Sequence, residues 1–175
     1  MIWVIRNIAF LILKGYYKGK FNLYGHVELL EKVKTICELC INPKEYALFG
    51  KRIFFIPVQD GECVSVLSYE ITFFDTLSAK SKQFGFSLID EERKKIVFLG
   101  DQPLTEAGEK YVENADWLLA EAFCLYSERE IHTPYEYCHS TVKEASENAM
   151  RFHVKNLVLW HTEDVTTYGR RKELY

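Results

Sequence analysis

Two apolar runs in the second half of the chain each end in a side chain that can bind a metal ion. Residues 95–99 lead into Gly100 and the carboxylate of Asp101, and residues 156–160 lead into the imidazole of His161. Short apolar runs rich in Val, Ile and Leu predict buried strands. A chain that buries both strands is therefore constrained to a sheet with polar chemistry at one edge.

Two further residues of the same chemistry lie between these runs. Residues 115–123 form another apolar run and contain Glu121, and His139 stands just before Ser140 and Thr141, either of which can cap a helix. Buried strands that deliver Asp, Glu and His to one sheet edge are a common way to build a metal-hydrolase site. We therefore predict that four side chains meet at one end of a sheet: Asp101, Glu121, His139 and His161.

The hydrophobic pattern predicts a mixed α/β chain. Helices are predicted at residues 2–13, 26–40, 105–114 and 140–153, and a charged, tyrosine-rich loop at 126–138. Strands are predicted at residues 21–24, 52–57, 63–74 (broken or bulged near Ser68), 83–89, 95–99, 117–123 and 154–160. Short links join the strands between residues 52 and 99, so we expect these neighbours to be antiparallel.

The first predicted helix, residues 2–13, is apolar on most of its circumference, with a narrow polar stripe at Arg6, Asn7 and Lys14. Such a helix is expected to be buried, and no N-cap residue precedes it. We therefore expect further chain to belong upstream of Met1. Without that chain, the helix and a sheet edge lose neighbours, which favours aggregation or association into a homo-oligomer.

Composition sets only broad limits on function. A length of 175 residues and a hydrophobic content of 48% predict a single domain over residues 1–175 with a sizeable core. The net charge of −3 gives no general attraction to nucleic acid. The odd number of cysteines and the lack of a signal peptide predict free thiols in the cytoplasm, and the apolar start is too short to span a membrane. The pair Cys37 and Cys40 is interpreted as two ordinary helix cysteines, because a zinc site of this type needs a second pair.

Four short motifs follow one another in a specific order. Gly100-Asp101 follows a strand, Glu121-Ala122 ends the next apolar run, His139-Ser140-Thr141 opens a helix, and His161 ends the last strand. This order resembles the C-terminal half of the metallo-β-lactamase superfamily and is most similar to its ribonuclease Z-like branch. The resemblance extends in order over most of the chain, and residues 96–161 carry its specific part.

The resemblance implies an α/β fold, the αβ/βα sandwich of the superfamily, with two zinc ions at one edge. It implies that Asp101 bridges the two metals and that His161 is a terminal ligand of one of them. His139 would not be a ligand; it would contact the scissile phosphate or protonate the leaving group. Glu121 would orient His139 and help it to keep its proton, as a general acid requires.

The sequence also departs from the superfamily pattern. The main metal motif, His-x-His-x-Asp-His, is absent, and in relatives it lies just before a helix that resembles residues 2–13. Leu77 stands where relatives place a further His ligand, and relatives continue beyond residues 170–175. We therefore expect a domain that is incomplete at the N-terminus and also at the C-terminus. With two inherited ligands, Asp101 and His161, we expect zinc to bind weakly or not at all.

Plainer interpretations stand beside this one. Taken singly, Asp101 could be a turn residue, Glu121 a buried carboxylate, His139 a helix cap and His161 a core histidine. Other residues could bind a metal, although no spacing selects them: Asp75, His132 and Asp164. Basic residues could contact phosphate but are interpreted as part of a solvated face: Lys80, Lys82, Arg170, Arg171 and Lys172. The predicted function is a metal-dependent hydrolase acting on RNA or another phosphodiester, weakened or inactive in this chain. The alternative is a non-catalytic remnant without a functional dinuclear site.

Overall fold

The computed structural model describes residues 1–162, and the chain divides after Gln59 into two units. The first unit contains three helices and two strands: α1 (Ile2–Leu13), β1 (Phe21–Gly25), α2 (Val27–Cys40), α3 (Pro43–Tyr46) and β2 (Ile53–Pro57). The prediction of one domain over residues 1–175 stays a prediction. Within the described residues, no helix combines the length and apolar character needed to cross a membrane.

The two strands of the first unit pair in parallel, with Phe21 opposite Ile53. This corrects the expectation that residues 52–57 belong to an antiparallel run. The physical reason is the connection, because α2 and α3 lie between β1 and β2 and provide the long crossover that parallel strands need. Asn42 starts α3 with its side chain, which accepts hydrogen bonds from the amides of Lys44 and Glu45 at 2.9 and 3.1 Å.

Helix α1 has the predicted bounds but not the predicted burial. Its buried residues, Ile5, Ala9 and Ile12, form one face that packs with α2 residues such as Val33. Trp3 on another face is 73% exposed, and Phe10 is also exposed. The expectation of a helix buried on most sides is therefore wrong for the described first unit, in which α2 and α3 cover only one face. An exposed apolar face of this kind favours association.

The second unit is built on a six-stranded sheet with the strand order β3-β4-β5-β6-β7-β8. Its strands are β3 (Cys63–Val66), β4 (Tyr69–Asp75), β5 (Phe84–Ile89), β6 (Lys95–Phe98), β7 (Trp117–Glu121) and β8 (Asn156–Trp160). Its helices are α4 (Glu106–Val112), α5 (Arg129–His132) and α6 (Val142–Arg151). Pairing is antiparallel from β3 to β6, as expected, and parallel from β6 to β8.

Two segments of this unit differ in part from their predicted structure. Residues 63–74 break near Ser68 as predicted, but the break is a hairpin turn, because Leu67 adopts a positive φ of 56° and reverses the chain. A two-residue hairpin turn needs such a conformation, but Asn, Asp or Gly usually supplies it. A leucine at this position therefore does not indicate a hairpin turn. Residues 126–138, predicted as a loop, contain α5 flanked by two 3₁₀ turns.

One apolar cluster joins α4 and α6 to the sheet. Its buried residues are Phe74, Val97, Leu99, Val112, Ala115, Leu118, Ala120, Ala122, Ala145, Ala149 and Leu159. Gly85 on β5 lies directly opposite Phe74 on β4. A Cβ atom at Gly85 would lie 2.6 Å from the Phe74 ring and 2.7 Å from the carbonyl oxygen of Phe98, so only glycine fits there. This contact fixes β4 against β5.

Helix α6 begins with a capping box. The amide and hydroxyl of Thr141 both donate to Oε2 of Glu144, at 2.7 and 2.8 Å, and Thr141 is fully buried. A capping box satisfies amides that the first turn of a helix leaves without partners. It therefore also fixes the direction in which the preceding residues leave the helix.

We expect Thr141→Ala to lower the free energy of unfolding by about 1 kcal/mol, the usual cost of losing a helix cap. Urea unfolding followed by circular dichroism measures this change. The matched control is Ser146→Ala on the same helix, whose hydroxyl only donates back to the carbonyl of Val142 at 2.8 Å. Such back-bonding contributes little to helix stability, so equal losses in the two variants would contradict the capping role.

Candidate functional site

The parallel part of the sheet explains why the predicted residues meet. Asp101 follows β6, Glu121 is the last residue of β7, and His161 follows β8 directly. These three strands are neighbours and run in the same direction. Since the carboxyl ends of parallel strands meet at one edge of a sheet, the three side chains are delivered to the same place.

Two of these strands end in backbone conformations that redirect the chain. Gly100, with a φ of 73°, lies between β6 and Asp101, and His161 itself has a φ of 53°. Glycine adopts this left-handed conformation readily, whereas for His161 it is uncommon and is a form of strain often found at functional sites. The sequence indicated the turn at Gly100 but not the one at His161.

His139 reaches the same edge from the segment before α6. The amide of Phe123 donates to the carbonyl of Ser140 at 2.9 Å, and Cys124 pairs with Thr141 in a parallel bridge. These contacts place residues 139–141 beside the end of β7. The ring of His139 stacks on the ring of Phe123, with centroids 4.9 Å apart and planes 9° from parallel.

A chain of contacts connects the four predicted side chains. Nδ1 of His161 is 3.0 Å from Oδ1 of Asp101, and Nδ1 of His139 is 3.6 Å from the same oxygen. Nδ1 of His139 is also 3.2 Å from Oε2 of Glu121. The predicted convergence is therefore confirmed, while the roles of these residues as ligands and catalytic groups stay predictions.

Glu121 is the buried member of the group. Its Oε1 accepts a hydrogen bond of 2.6 Å from the amide of Ser140, whose hydroxyl donates to the Glu121 carbonyl at 3.2 Å. Burial raises the pKa of the Glu121 carboxyl, and the hydrogen bonds from Ser140 only partly oppose that rise. Glu121 thus links the end of β7 to the start of α6 and presents its second oxygen to His139.

Lys80, interpreted from the sequence as part of a solvated face, is a residue of the site. Its Nζ is 3.2 Å from Nε2 of His139 and 3.5 Å from Oδ2 of Asp101, so it is not one of several lysines on a solvated face. Lys80 lies three residues after Leu77, in the segment where relatives were expected to supply a histidine. Leu77 itself is 64% exposed, and its amide donates to Oδ1 of Asp75. The only signal in the sequence was that segment.

The contacts of His139 determine which nitrogen carries its proton. A lysine ammonium has three donors and no acceptor, so Nε2 of His139 must accept from Lys80. The proton of the neutral ring then lies on Nδ1 and is donated to Glu121. Burial lowers the pKa of His139, Lys80 and His161 lower it further, and Asp101 opposes them. The expectation that Glu121 helps His139 to keep its proton stays a prediction.

No protein-family model matches the chain, and no curated protein matches its sequence. Solved structures do match: the metallo-β-lactamase fold protein YhfI of Bacillus subtilis has a TM-score of 0.71 and 20% identity, covering 99% of this chain and 64% of that chain. This chain has the metallo-β-lactamase fold. The fold class predicted from the sequence is confirmed.

Two other solved structures have the same fold. The short form of human tRNase Z has a TM-score of 0.69 and 20% identity, with 93% of this chain and 66% of that chain covered. Zinc-bound PqqB from Methylobacterium extorquens has a TM-score of 0.66 and 15% identity, with 88% and 60% covered. The chain therefore spans less than two thirds of the length of each of these metallo-β-lactamase fold proteins.

One divalent ion fits the residues at this edge of the metallo-β-lactamase fold. Ligand atoms of Asp101, His139 and His161 lie within 4.8 Å of one another, and within residues 1–162 neither Asp75 nor His132 belongs to the group. Oδ1 of Asp101 is buried and lacks a hydrogen-bond partner, since the 3.0 Å contact to His161 is not aligned for one. An orphaned carboxylate oxygen beside imidazole nitrogens suits a metal ion. The further candidate Asp164 lies outside the described residues.

A second ion does not fit equally well. Oδ2 of Asp101, the oxygen that would bind it, faces the ammonium group of Lys80 at 3.5 Å. Nδ1 of His139 could serve as a third ligand only after losing the proton that it shares with Glu121. This geometry leaves Asp101 and His161 as the two ligands that are ready to bind.

We expect His139 to carry its proton on Nδ1 at neutral pH, because Lys80 can only donate to Nε2. Nitrogen-15 NMR of the imidazole distinguishes the two tautomers. In Glu121→Gln, the side-chain oxygen stays with the Ser140 amide and the NH2 group faces Nδ1, so the Nε2-protonated form should increase and displace Lys80 from the ring. A wild-type spectrum dominated by a proton on Nε2 would show that Lys80 does not contact the ring in solution.

Proposed function

We propose that this edge is the active site of a metal-dependent hydrolase of the ribonuclease Z-like branch, acting on a phosphodiester such as RNA. The observation that carries the proposal is the convergence of three side chains: Asp101 after β6, His161 after β8, and His139 from the segment before α6. A structural neighbour named tRNase Z supports the substrate class. We further propose that the activity of this chain is weak or absent.

Zinc is the ion that we propose for the site, and Asp101 and His161 would hold it. When bound, a divalent ion supplies positive charge that stabilises the negative charge developing on phosphoryl oxygens. Asp101 can neutralise part of that charge through Oδ1, and His161 is suited as a neutral nitrogen ligand. The zinc-bound state of a neighbour with the same fold supports zinc over other ions.

We propose that His139 is the residue that transfers a proton. Glu121 holds the Nδ1 proton and so fixes the ring. Nε2, which accepts from Lys80 in the free site, is the atom that would exchange a proton with a reacting group once that group displaces the Lys80 ammonium. The stacked ring of Phe123 restricts the imidazole to this orientation. Because the pKa of His139 is lowered, Nε2 begins as a proton acceptor and can pass the acquired proton to the leaving oxygen.

Ligand count is the reason to expect weak activity. A catalytic zinc site normally has three protein ligands and one open position, whereas only Asp101 and His161 are ready to bind here. The alternative function is therefore a non-catalytic protein that keeps the fold but not a working metal site. The specific observation in its favour is the pairing of Lys80 with Asp101, which occupies an oxygen that a two-ion site requires.

We expect the protein to retain well under one zinc ion per chain after dialysis against zinc-free buffer, because two ligands bind zinc weakly. Elemental analysis measures the content. Any zinc that remains should be lost in His161→Ala and kept in His153→Ala, which changes a histidine outside the ligand group. Near-stoichiometric zinc that disappears in His161→Ala would contradict weak binding and support an active enzyme.

Hydrolysis of bis(p-nitrophenyl) phosphate with added zinc tests the proposed function itself. We expect slow, zinc-dependent release of nitrophenol that falls by at least about 10–100-fold in Asp101→Asn, because losing even an outer-shell partner of a metal ligand costs that much. The matched control is Asp116→Asn, which removes a lysine-paired aspartate at the other end of β7, where Nζ of Lys155 is 2.6 Å away. No zinc-dependent hydrolysis in the folded protein would favour the non-catalytic alternative.

A further inference from the structure

Lys80 occupies a defined position rather than a flexible surface. The loop that carries it is closed at its base, where the amide and hydroxyl of Thr76 both donate to the carbonyl of Gln83, at 3.0 and 3.1 Å. Within the loop, the amide of Lys80 donates to the hydroxyl of Ser78 at 3.2 Å. The Lys80 side chain is 31% exposed, so its ammonium group reaches the site and still faces solvent.

The two oxygens of Asp101 have different neighbours. Oδ1 faces the nitrogen atoms of His161 and His139, where one divalent ion fits. Oδ2 faces Nζ of Lys80 at 3.5 Å. A carboxylate that bridges two cations places one on each oxygen, and here the cation at Oδ2 belongs to the protein itself.

We propose that Lys80 is a built-in cation of the site: its ammonium group takes the position of a second divalent ion on Asp101 and donates to an oxygen of a bound phosphodiester anion. This inference rests on the proposed function, because it names how the same site would hold its substrate. It assigns at most one divalent ion to the site. The chemistry recognised is a phosphoryl oxygen beside that ion.

The donor inventory of lysine supports this role. An ammonium group has three proton donors; Lys80 directs one of them to His139 and forms an ion pair with Asp101 at 3.5 Å. A donor therefore remains for a ligand on the exposed side, where a charged hydrogen bond to a phosphate oxygen is stronger than a neutral one. The same positive charge opposes a second metal ion next to Oδ2, because like charges in a partly buried site are weakly screened.

Three variants test the inference: Lys80→Met, Lys80→His and the control Lys94→Met. Lys94 lies at the other end of β6 and pairs with Glu92, so its loss should leave the site unchanged. Circular dichroism checks that each variant is folded. Zinc binding is measured by calorimetry, and binding of dimethyl phosphate, an inert phosphodiester anion, by phosphorus NMR with zinc at a fixed level.

In Lys80→Met, we expect affinity for dimethyl phosphate to fall about tenfold, the effect of losing one charged hydrogen bond, with zinc affinity unchanged or higher. In Lys80→His, a metal ligand replaces the cation. We therefore expect either zinc affinity to rise by about tenfold or a second zinc ion to bind. Lys94→Met should match the wild type in both measurements.

Three outcomes would overturn the inference. They are two zinc ions bound by the wild type, unchanged phosphate affinity in Lys80→Met, and unchanged zinc binding in Lys80→His. These results leave the proposed hydrolase function open, since that function is judged by zinc-dependent hydrolysis and by Asp101→Asn. Conversely, phosphate binding that depends on Lys80 in a protein without hydrolysis would support the inference and remove the proposed activity.

Discussion

The buried carboxylate of Glu121 is the interaction on which the site depends. One oxygen accepts the amide of Ser140 at 2.6 Å, and the other faces Nδ1 of His139 at 3.2 Å. The first contact joins the end of β7 to the start of α6, and the second sets the orientation of the imidazole. A buried carboxylate without such partners would be costly, so the sheet, the helix start and the histidine stabilise one another.

The segment that carries His139 is also held from its other side. The amide of His139 donates to the carbonyl of Pro134 at 2.9 Å. The hydroxyl of Tyr135 donates to Glu144 at 2.6 Å, and that bond, with burial, raises the pKa of Tyr135 to about 12. Because Glu144 is the same residue that caps α6 through Thr141, the turn before His139 and the helix after it share one anchor.

Much of the second unit could be predicted from sequence, because its strands are short apolar runs and its site residues stand at their ends. Parallel pairing then makes the meeting of Asp101, Glu121 and His161 a consequence of strand order. Lys80 could not be predicted, since its contact depends on how a loop folds back and on a long side chain. The break near Ser68 was predicted, but not the chain reversal at Leu67, because leucine rarely adopts a positive φ. In the first unit, the apolar run predicted the bounds of α1. The pattern did not indicate which faces of α1 would be covered by α2 and α3.

The tight contact at Gly85 separates what is rigid near the site from what can vary. Because the Phe74 ring and the Phe98 carbonyl leave no room for a side chain at Gly85, any larger residue there would push against β4 and β6. Leu77 and Lys80, in the loop after Asp75, are exposed and can be substituted without such a collision. A protein engineer could therefore exchange the charge that Lys80 brings to the site by rewriting that loop alone, with the sheet acting as a fixed frame.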